Sequence, residues 1–542
     1  MKTKLFISFV AFAAASVLMS GCSNDESTAT TTTDQLTAFT GGIVTEVPME
    51  RVQIGTPGGS TVVPGFTTRT SMNRGEIKCD GSFLWEPNDV IYVKDDKDNL
   101  CKSQNEITES AARTTFLVDG SYTTKGPYEV YYYGTNTGAG AKKVVIADNQ
   151  TQSAFNNTKH FGAVGDCGVA TATKTTGSGK SSFKFLLEHK ASYLCFLPYI
   201  ALKVQRAYFR IQRIEITSDN NISGTYDLTQ SGFSNTGTNE SKTITLNVGR
   251  DGLKLADQAT ATKSIKNSLY VVIAPGTHAL KVKYTVLDAK NTVMTITKSY
   301  KSHNFGVNKI CDIPVDLSVR HYSGRNYFMW DAAENYWSGH EWDAAVPWQP
   351  TMEGASNDGY PKSKAADGAR WYHRGNAPLE ASVNPLFKEL PNANEIGWYV
   401  LKGDAHWDNS TQWTAFGKTH TGGIWLKKLS VIAKDAGKEL AALKQADPNG
   451  INLLTSYSSN HYDIPPKIGK PADKEIGNYF FLPALGHYSN GKLYSLGSYG
   501  YYWSSSAYLS DSSRACYLDF YSGGVYLSYY NRYYGFVAQP FD

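Results

Sequence analysis

At 542 residues the chain is too long for one hydrophobic core and divides into two or three domains. Charged residues make up 19%, and the formal net charge is +4 with acidic and basic residues interspersed. No basic stripe results, which argues against nucleic acid as a partner. Gly, Thr, Ser, Tyr and Val are abundant, favouring strands and turns over helix bundles.

Lys2 and Lys4 precede an apolar run over residues 5–19 that ends in Ser20-Gly21-Cys22. The run is short for a membrane span and has the charge order of an export signal. Small residues before a Cys resemble the bacterial lipobox, although Met19 is not the commonest choice there. That resemblance implies removal of residues 1–21, lipidation of Cys22 and anchoring in the outer membrane through acyl chains. The competing reading is an ordinary signal peptide with an incidental Cys. Residues 22–35 are polar and of low complexity, as in a disordered tether. Within them Asp25-Glu26 resembles the acidic signal that sends lipoproteins of one bacterial phylum to the outer face of the outer membrane. Six further Cys are widely spaced and form no CxxC pair; Cys516 reads as a buried small hydrophobe.

From residue 36 to 318 short strands alternate with Gly, Asn and Asp turns. Examples are 89–94, 128–133, 183–187, 208–216, 243–248, 268–274, 281–287 and 293–300. Regular short strands with almost no helical period predict two β-sandwiches, over 36–203 and 204–318. Five pieces in order resemble the fimbrillins of Bacteroidales type V pili. They are 66–70 (FTTRT), 84–93 (LWEPNDVIYV), 185–196 around His189 (FLLEHKASYLCF), 222–228 (ISGTYDL) and 310–317 (ICDIPVDL). The resemblance implies a surface lipoprotein cut after a basic residue beyond its anchor, with Arg51 favoured and Arg69 and Arg74 as rivals. The cut removes a first strand and opens a groove, which a strand of another fimbrillin subunit then fills.

Beyond residue 320 the texture changes, and ten of the eleven Trp lie at or after Trp330. Asn384-Pro385 predicts a short helix. Asn392 and Glu395 have capping-box spacing ahead of a face made by Ile396, Tyr399 and Val400. Ile432, Ala436, Leu440 and Leu443 predict a second helix, stopped at Pro448-Asn449-Gly450. Toward the end Tyr517, Asp519 and Tyr521 alternate, as do Tyr526 and Ser528, with Gly523-Gly524 between: a hairpin pattern. Residues 320–542 therefore read as an α+β domain. They resemble the Fibrobacter succinogenes major paralogous domain at 390–395 (LPNANE), 397–399 with 402–404, 422–428 (GGIWLKK) and 502–506 (YWSSS). That family is similar to C-type-lectin and formylglycine-generating-enzyme folds, and the likeness leaves its ligand open.

Catalytic and metal motifs are incomplete. Gly177-Ser178-Gly179-Lys180-Ser181 has Lys174 where a phosphate loop needs Gly, and reads as a turn. His340-Glu341 lacks a second ligand at residue 344, which is Ala. Glu86-Pro87-Asn88 copies a lectin triplet but belongs to the turn before a strand. Asp404 and Asp408 supply two carboxylates where Ca²⁺ wants six to eight oxygens. No cofactor is expected, and the reading is of a non-enzyme. The remaining signal is aromatic: Trp503, Tyr508, Tyr530 and Tyr533 are candidates to stack on a sugar, against the plain alternative that they are core rings. The expectation is a fimbrial tip adhesin presenting a lectin-like domain to a glycan or surface protein. The alternative is a glycan-capture lipoprotein of the outer membrane that never polymerises.

Overall fold

The computed structural model describes residues 36–42, 51–53, 61–63, 71–74, 81–123, 126–135, 142–175, 181–206, 208–259, 266–373, 380–456 and 462–541. Cys22, Arg69 and the 177–180 turn lie outside them. The described residues are mainly strand, and no helix among them is long and apolar enough to cross a membrane.

The first body is built on one large sheet. Its strands are β1 (Thr37–Gly41), β2 (Tyr92–Lys94), β3 (Leu100–Lys102), β4 (Thr114–Val118), β5 (Tyr128–Tyr132), β6 (Gly168–Lys174) and β7 (Ser182–Phe185). They run β3-β2-β5-β6-β7-β1-β4, with Glu188–His189 beside β6. Period-two alternation sends Tyr128, Val130 and Tyr132 inward and leaves Glu129 and Tyr131 half exposed. The core gathers Phe39, Trp85, Phe116, Val130, Phe183 and Phe185. Ahead of β2, Glu86-Pro87-Asn88-Asp89 is a turn. Asn88 takes φ +72°, and Asp89 accepts from the Glu86 N–H (2.7 Å) and the Tyr132 hydroxyl (2.8 Å). The triplet is thus used locally, as its sequence context indicated.

The second body has two facing sheets. One holds, in order, Leu269–Ile273, β8 (Ser192–Tyr199), Ile310–Asp316, Arg51–Gln53 and Thr61–Val63. The other holds Asn149–Thr151, Thr243–Asn247, Arg210–Ser218, Gly276–Leu287 and Val293–Phe305. Between them pack Leu194, Phe196, Ile214, Val271, Val282 and Ile313. Pairing does not part the chain at residues 203 and 204. β8 already belongs to the second core, and Lys143–Ile146 pairs with Ser223–Thr229. The stretch taken for a boundary is a short helix, Lys203–Arg206, between two strands of one sandwich. Sandwich sheets are closed by non-local pairing, which a local change of texture does not report.

The third body follows from residue 320. Its main sheet runs Tyr327–Phe328, Phe536–Val537, β9 (Tyr499–Ala507), β10 (Arg514–Tyr521), β11 (Gly524–Asn531) and Asp463–Ile464. A second sheet runs Lys467–Ile468, His406–Trp407, Gly423–Lys427 and Tyr479–Pro483. Helix α1 (Ala393–Lys402) opens with the expected capping box: Asn392 accepts from the Glu395 N–H and Glu395 from the Asn392 N–H. Asn384 likewise caps the short helix Pro385–Lys388. The helix expected over Ile432–Leu443 is broken. Leu429–Asp435 ends at Ala436, Gly437 takes φ +62°, and a separate tight turn of helix covers Leu440–Lys444. Gly adopts the left-handed region at no steric cost, so the chain stops there despite its apolar period.

This body is tied to the second by side-chain bonds. Gln205 donates to the Val319 carbonyl and the Thr414 hydroxyl (both 2.9 Å), Asp288 accepts from the Thr419 N–H, and Gln412 accepts from the Thr295 N–H.

Candidate functional site

Strands β9, β10 and β11 form an antiparallel ladder whose register decides which side chains share a face. One row is Tyr499–Tyr521–Gly524, the next Tyr501–Asp519–Tyr526, the next Trp503–Tyr517–Ser528. Alternation puts all of these on one side of the sheet, while Tyr502, Leu518, Phe520 and Val525 turn to the core on the other. Glycine has a definite use on the core side. A Cβ at Gly500 would lie 2.1 Å from the Phe520 ring, so only Gly lets that ring cross the strand.

The outward face is a tyrosine shelf. Tyr499 and Tyr521 stack at 4.8 Å and 18°, and Tyr521 and Tyr526 are parallel at 6.1 Å. Tyr499, Tyr501, Tyr521 and Tyr526 are half-buried and Tyr530 is exposed. At its centre Asp519 is flanked in register by Tyr501 and Tyr526. Its Oδ1 is buried without a hydrogen-bond partner, and burial pushes the carboxyl up to about 7. Beside Tyr501, at 4.5 Å, stands His487, whose Nδ1 is also buried and unpartnered. Burial holds that imidazole down at about 4. A row of half-buried rings with apolar faces and hydroxyl edges suits a neutral polyol: the faces stack on C–H groups and the hydroxyls exchange hydrogen bonds.

The four aromatic candidates fare differently. Trp503 is fully buried and its Nε1 donates to the Phe328 carbonyl (2.8 Å); Trp330, Phe387 and Tyr517 share its cluster. Its ring is therefore core, packed on Phe536 and Tyr517, and is not available to a sugar. Tyr508 stacks on Tyr529 at 3.8 Å, away from the shelf, because Tyr529 alternates to the face opposite Asp519. Tyr530 and Tyr533 are exposed and both pack on Tyr534 at the shelf's margin. Sequence reasoning passed over Asp519, Tyr501 and His487. The alternation of Tyr517, Asp519 and Tyr521 already placed Asp519 on a tyrosine face, whereas nothing local joins His487 to it.

The other candidates have structural partners. Asp408 is buried. Burial raises its carboxyl, but bonds from Ser410, Thr411 and Trp425 outweigh that and hold it at about 2. Asp404 accepts from Lys467 and from the Tyr479 hydroxyl. Both carboxylates are thus engaged within the domain, and among the described residues no group of three His, Cys, Asp or Glu is placed to hold a metal ion. Arg51 begins a strand paired on both sides, with Ile310–Asp316 and Thr61–Val63, and Arg74 ends a strand paired with Gly81–Leu84.

At the other end of the chain β1 is an inserted strand. It pairs parallel with β7 and antiparallel with β4, and its Phe39 is fully buried on Phe183 (5.0 Å, stacked) and Tyr122 (4.9 Å).

A family model described as a domain of unknown function, DUF8237, matches residues 470–541, which include the tyrosine shelf. No curated protein matches the chain. Among solved structures, the chain is similar to a fimbrial protein from Bacteroides ovatus ATCC 8483 (10% identity, 93% of this chain and 97% of that one, TM-score 0.23). It is also similar to candidate cell-adhesion proteins from the same strain (15%, 49% and 90%, TM-score 0.27) and from Bacteroides eggerthii DSM 20697 (10%, 50% and 83%, TM-score 0.25). Scores this low set neither fold nor activity, so the functional reading rests on the chain's own geometry.

Proposed function

We propose that the chain is a fimbrial tip adhesin of the cell surface. In this reading it is anchored at Cys22, joins other fimbrillin subunits by strand exchange, and offers its lectin-like third body to a glycan. One observation carries this reading: the two ends of the fold are unequal as strand partners. β1 is inserted between β4 and β7 and lies upstream of Arg51, Arg69 and Arg74, so a cut at any of them frees it. Its departure leaves two strands with unpaired backbone edges and an empty socket for one aromatic side chain, which a foreign strand of like pattern fills. The last described strand is not offered in the same way. Phe536–Val537 is held inside its own sheet, and the second sandwich runs on directly into the third body. A subunit that accepts a strand and passes none on terminates a polymer, at the end that meets a target first. The tyrosine shelf supplies the contact.

Immunogold labelling with an antibody to residues 320–542 tests this, with label expected at pilus ends. Label along the shaft, or on cells without pili, overturns it and leaves a non-polymerising capture lipoprotein.

A further inference from the structure

The first body carries a concave surface, on the outward face of its large sheet, with a volume of about 710 Å³. Register builds it. Thr173, Lys184, Thr40 and Thr115 stand opposite one another across β6, β7, β1 and β4, so their side chains share one face. The Thr40 and Thr115 hydroxyls bond at 2.9 Å, and Thr171 adds a further hydroxyl on the same face two residues along β6.

Arg113, just before β4, reaches in from the side. Its stem lies against Gly42, where a Cβ would come to 2.9 Å from Arg113 Cγ. Arg113 and Lys184 are both exposed, and neither has an ion-pair partner among the described residues. The nearest carboxylate in register is Glu129, opposite Thr171. It accepts from the Tyr131 hydroxyl at 2.9 Å and lies 3.9 Å from Lys94, on the side away from β7. Two cations thus converge on a hydroxyl-lined basin edged by the exposed Leu186.

The occupant is constrained by the backbone. β6, β7 and β1 are interior strands with both edges paired, so a peptide cannot enter by adding a strand. Recognition must come from side chains: hydroxyls that exchange hydrogen bonds with a polyol, one apolar edge at Leu186, and a paired positive charge. The volume lies within the usual range for small-ligand sites.

We propose that this basin binds an acidic oligosaccharide. Its carboxylate or sulfate is held between Arg113 and Lys184, and its hydroxyls lie on Thr40, Thr171 and Thr173. The site is distinct in chemistry from the tyrosine shelf, whose central group is itself a carboxyl. Because Thr40 belongs to β1 and Gly42 follows it directly, the intact site exists only while β1 is in place.

Calorimetric titration of the unprocessed full chain at low salt tests it, with a uronic-acid trisaccharide, a sulfated disaccharide and a neutral trisaccharide as probes. Binding of at least one acidic probe is expected, weakening as salt is raised. Roughly tenfold loss is expected in the Arg113→Gln/Lys184→Gln double variant. Gly42→Ala, which keeps both charges and displaces the Arg113 stem, is expected to weaken binding too. Lys301→Gln, which removes an exposed charge from the second sandwich, is expected to leave acidic-probe binding unchanged, which separates this site from general surface charge. Circular dichroism of each variant guards against simple unfolding. Absence of binding by either acidic probe overturns the proposal, as does unaltered affinity in a folded double variant. Tighter binding of an acidic hexapeptide than of either saccharide also overturns it and reassigns the basin to peptide.

Discussion

Both ends of the described chain close a sheet by insertion, and they grip differently. β1 enters between β7 and β4 and carries one large anchor, Phe39. Phe536–Val537 enters between Tyr327–Phe328 and β9 and brings four buried residues, Phe536, Val537, Ala538 and Phe541. Phe536 packs in the cluster around Trp330 and Trp503, while Val537 and Phe541 pack in the main core of the third body. Ala538 also donates its N–H to the Asn326 carbonyl at 2.7 Å. A strand with one anchor can be exchanged for another of the same pattern. A strand that enters two cores cannot leave without opening both.

The largest expected effect tests the tighter grip. Phe536→Ala should cost about 3–5 kcal/mol, by lost burial plus the cavity left among Trp503, Tyr517 and Tyr534. Denaturant unfolding of the full chain, followed by tryptophan fluorescence, reads it. If that loss is smaller than the loss for Phe39→Ala, the contrast between the two ends fails.

Phe39→Ala should cost about 3 kcal/mol, the low end of the range for a buried Phe, confined to the first body. Hydrogen exchange should rise in β4 and β7 and stay unchanged in β9 and β10. A synthetic peptide of residues 36–42 should restore protection; failure to do so would show that the strand is not replaceable.

The shelf sharpens the comparison through pH. An unfolded Asp releases its proton near 3.8, while folded Asp519 holds it up to about 7. Between those values the folded state binds more protons, so the stability of the third body should fall as pH rises from about 4 to 7. Asp519→Asn should flatten that slope and add on the order of 1 kcal/mol at pH 8, after allowance for partial exposure. A thermal-shift series across pH checks it, and an unaltered slope would place the titration elsewhere. The smallest effect is at α1, where Asn392→Ala should cost about 1 kcal/mol by removing the cap on the Glu395 N–H. The same thermal-shift measurement reads it, and no change would mean the cap is redundant with the packing of α1.

Elements whose cause is local were legible in the chain: the strands, the Asn392–Glu395 cap, the Asn384-Pro385 helix start and the alternation that puts Asp519 among tyrosines. Each depends on a few neighbouring residues, and backbone geometry reads them directly. The broken helix at Gly437 was also local, but its apolar period outweighed one glycine in the reading. Only the tertiary structure decided the rest. It placed β8 and Lys143–Ile146 with the second sandwich, buried Trp503 in one cluster with Trp330 and Phe387, and brought His487 beside Tyr501. It also aligned Thr173, Lys184 and Thr40 from three separate segments. Sheet pairing joins residues without regard to their distance along the chain, so composition and period reveal that a strand exists but not which strand lies beside it.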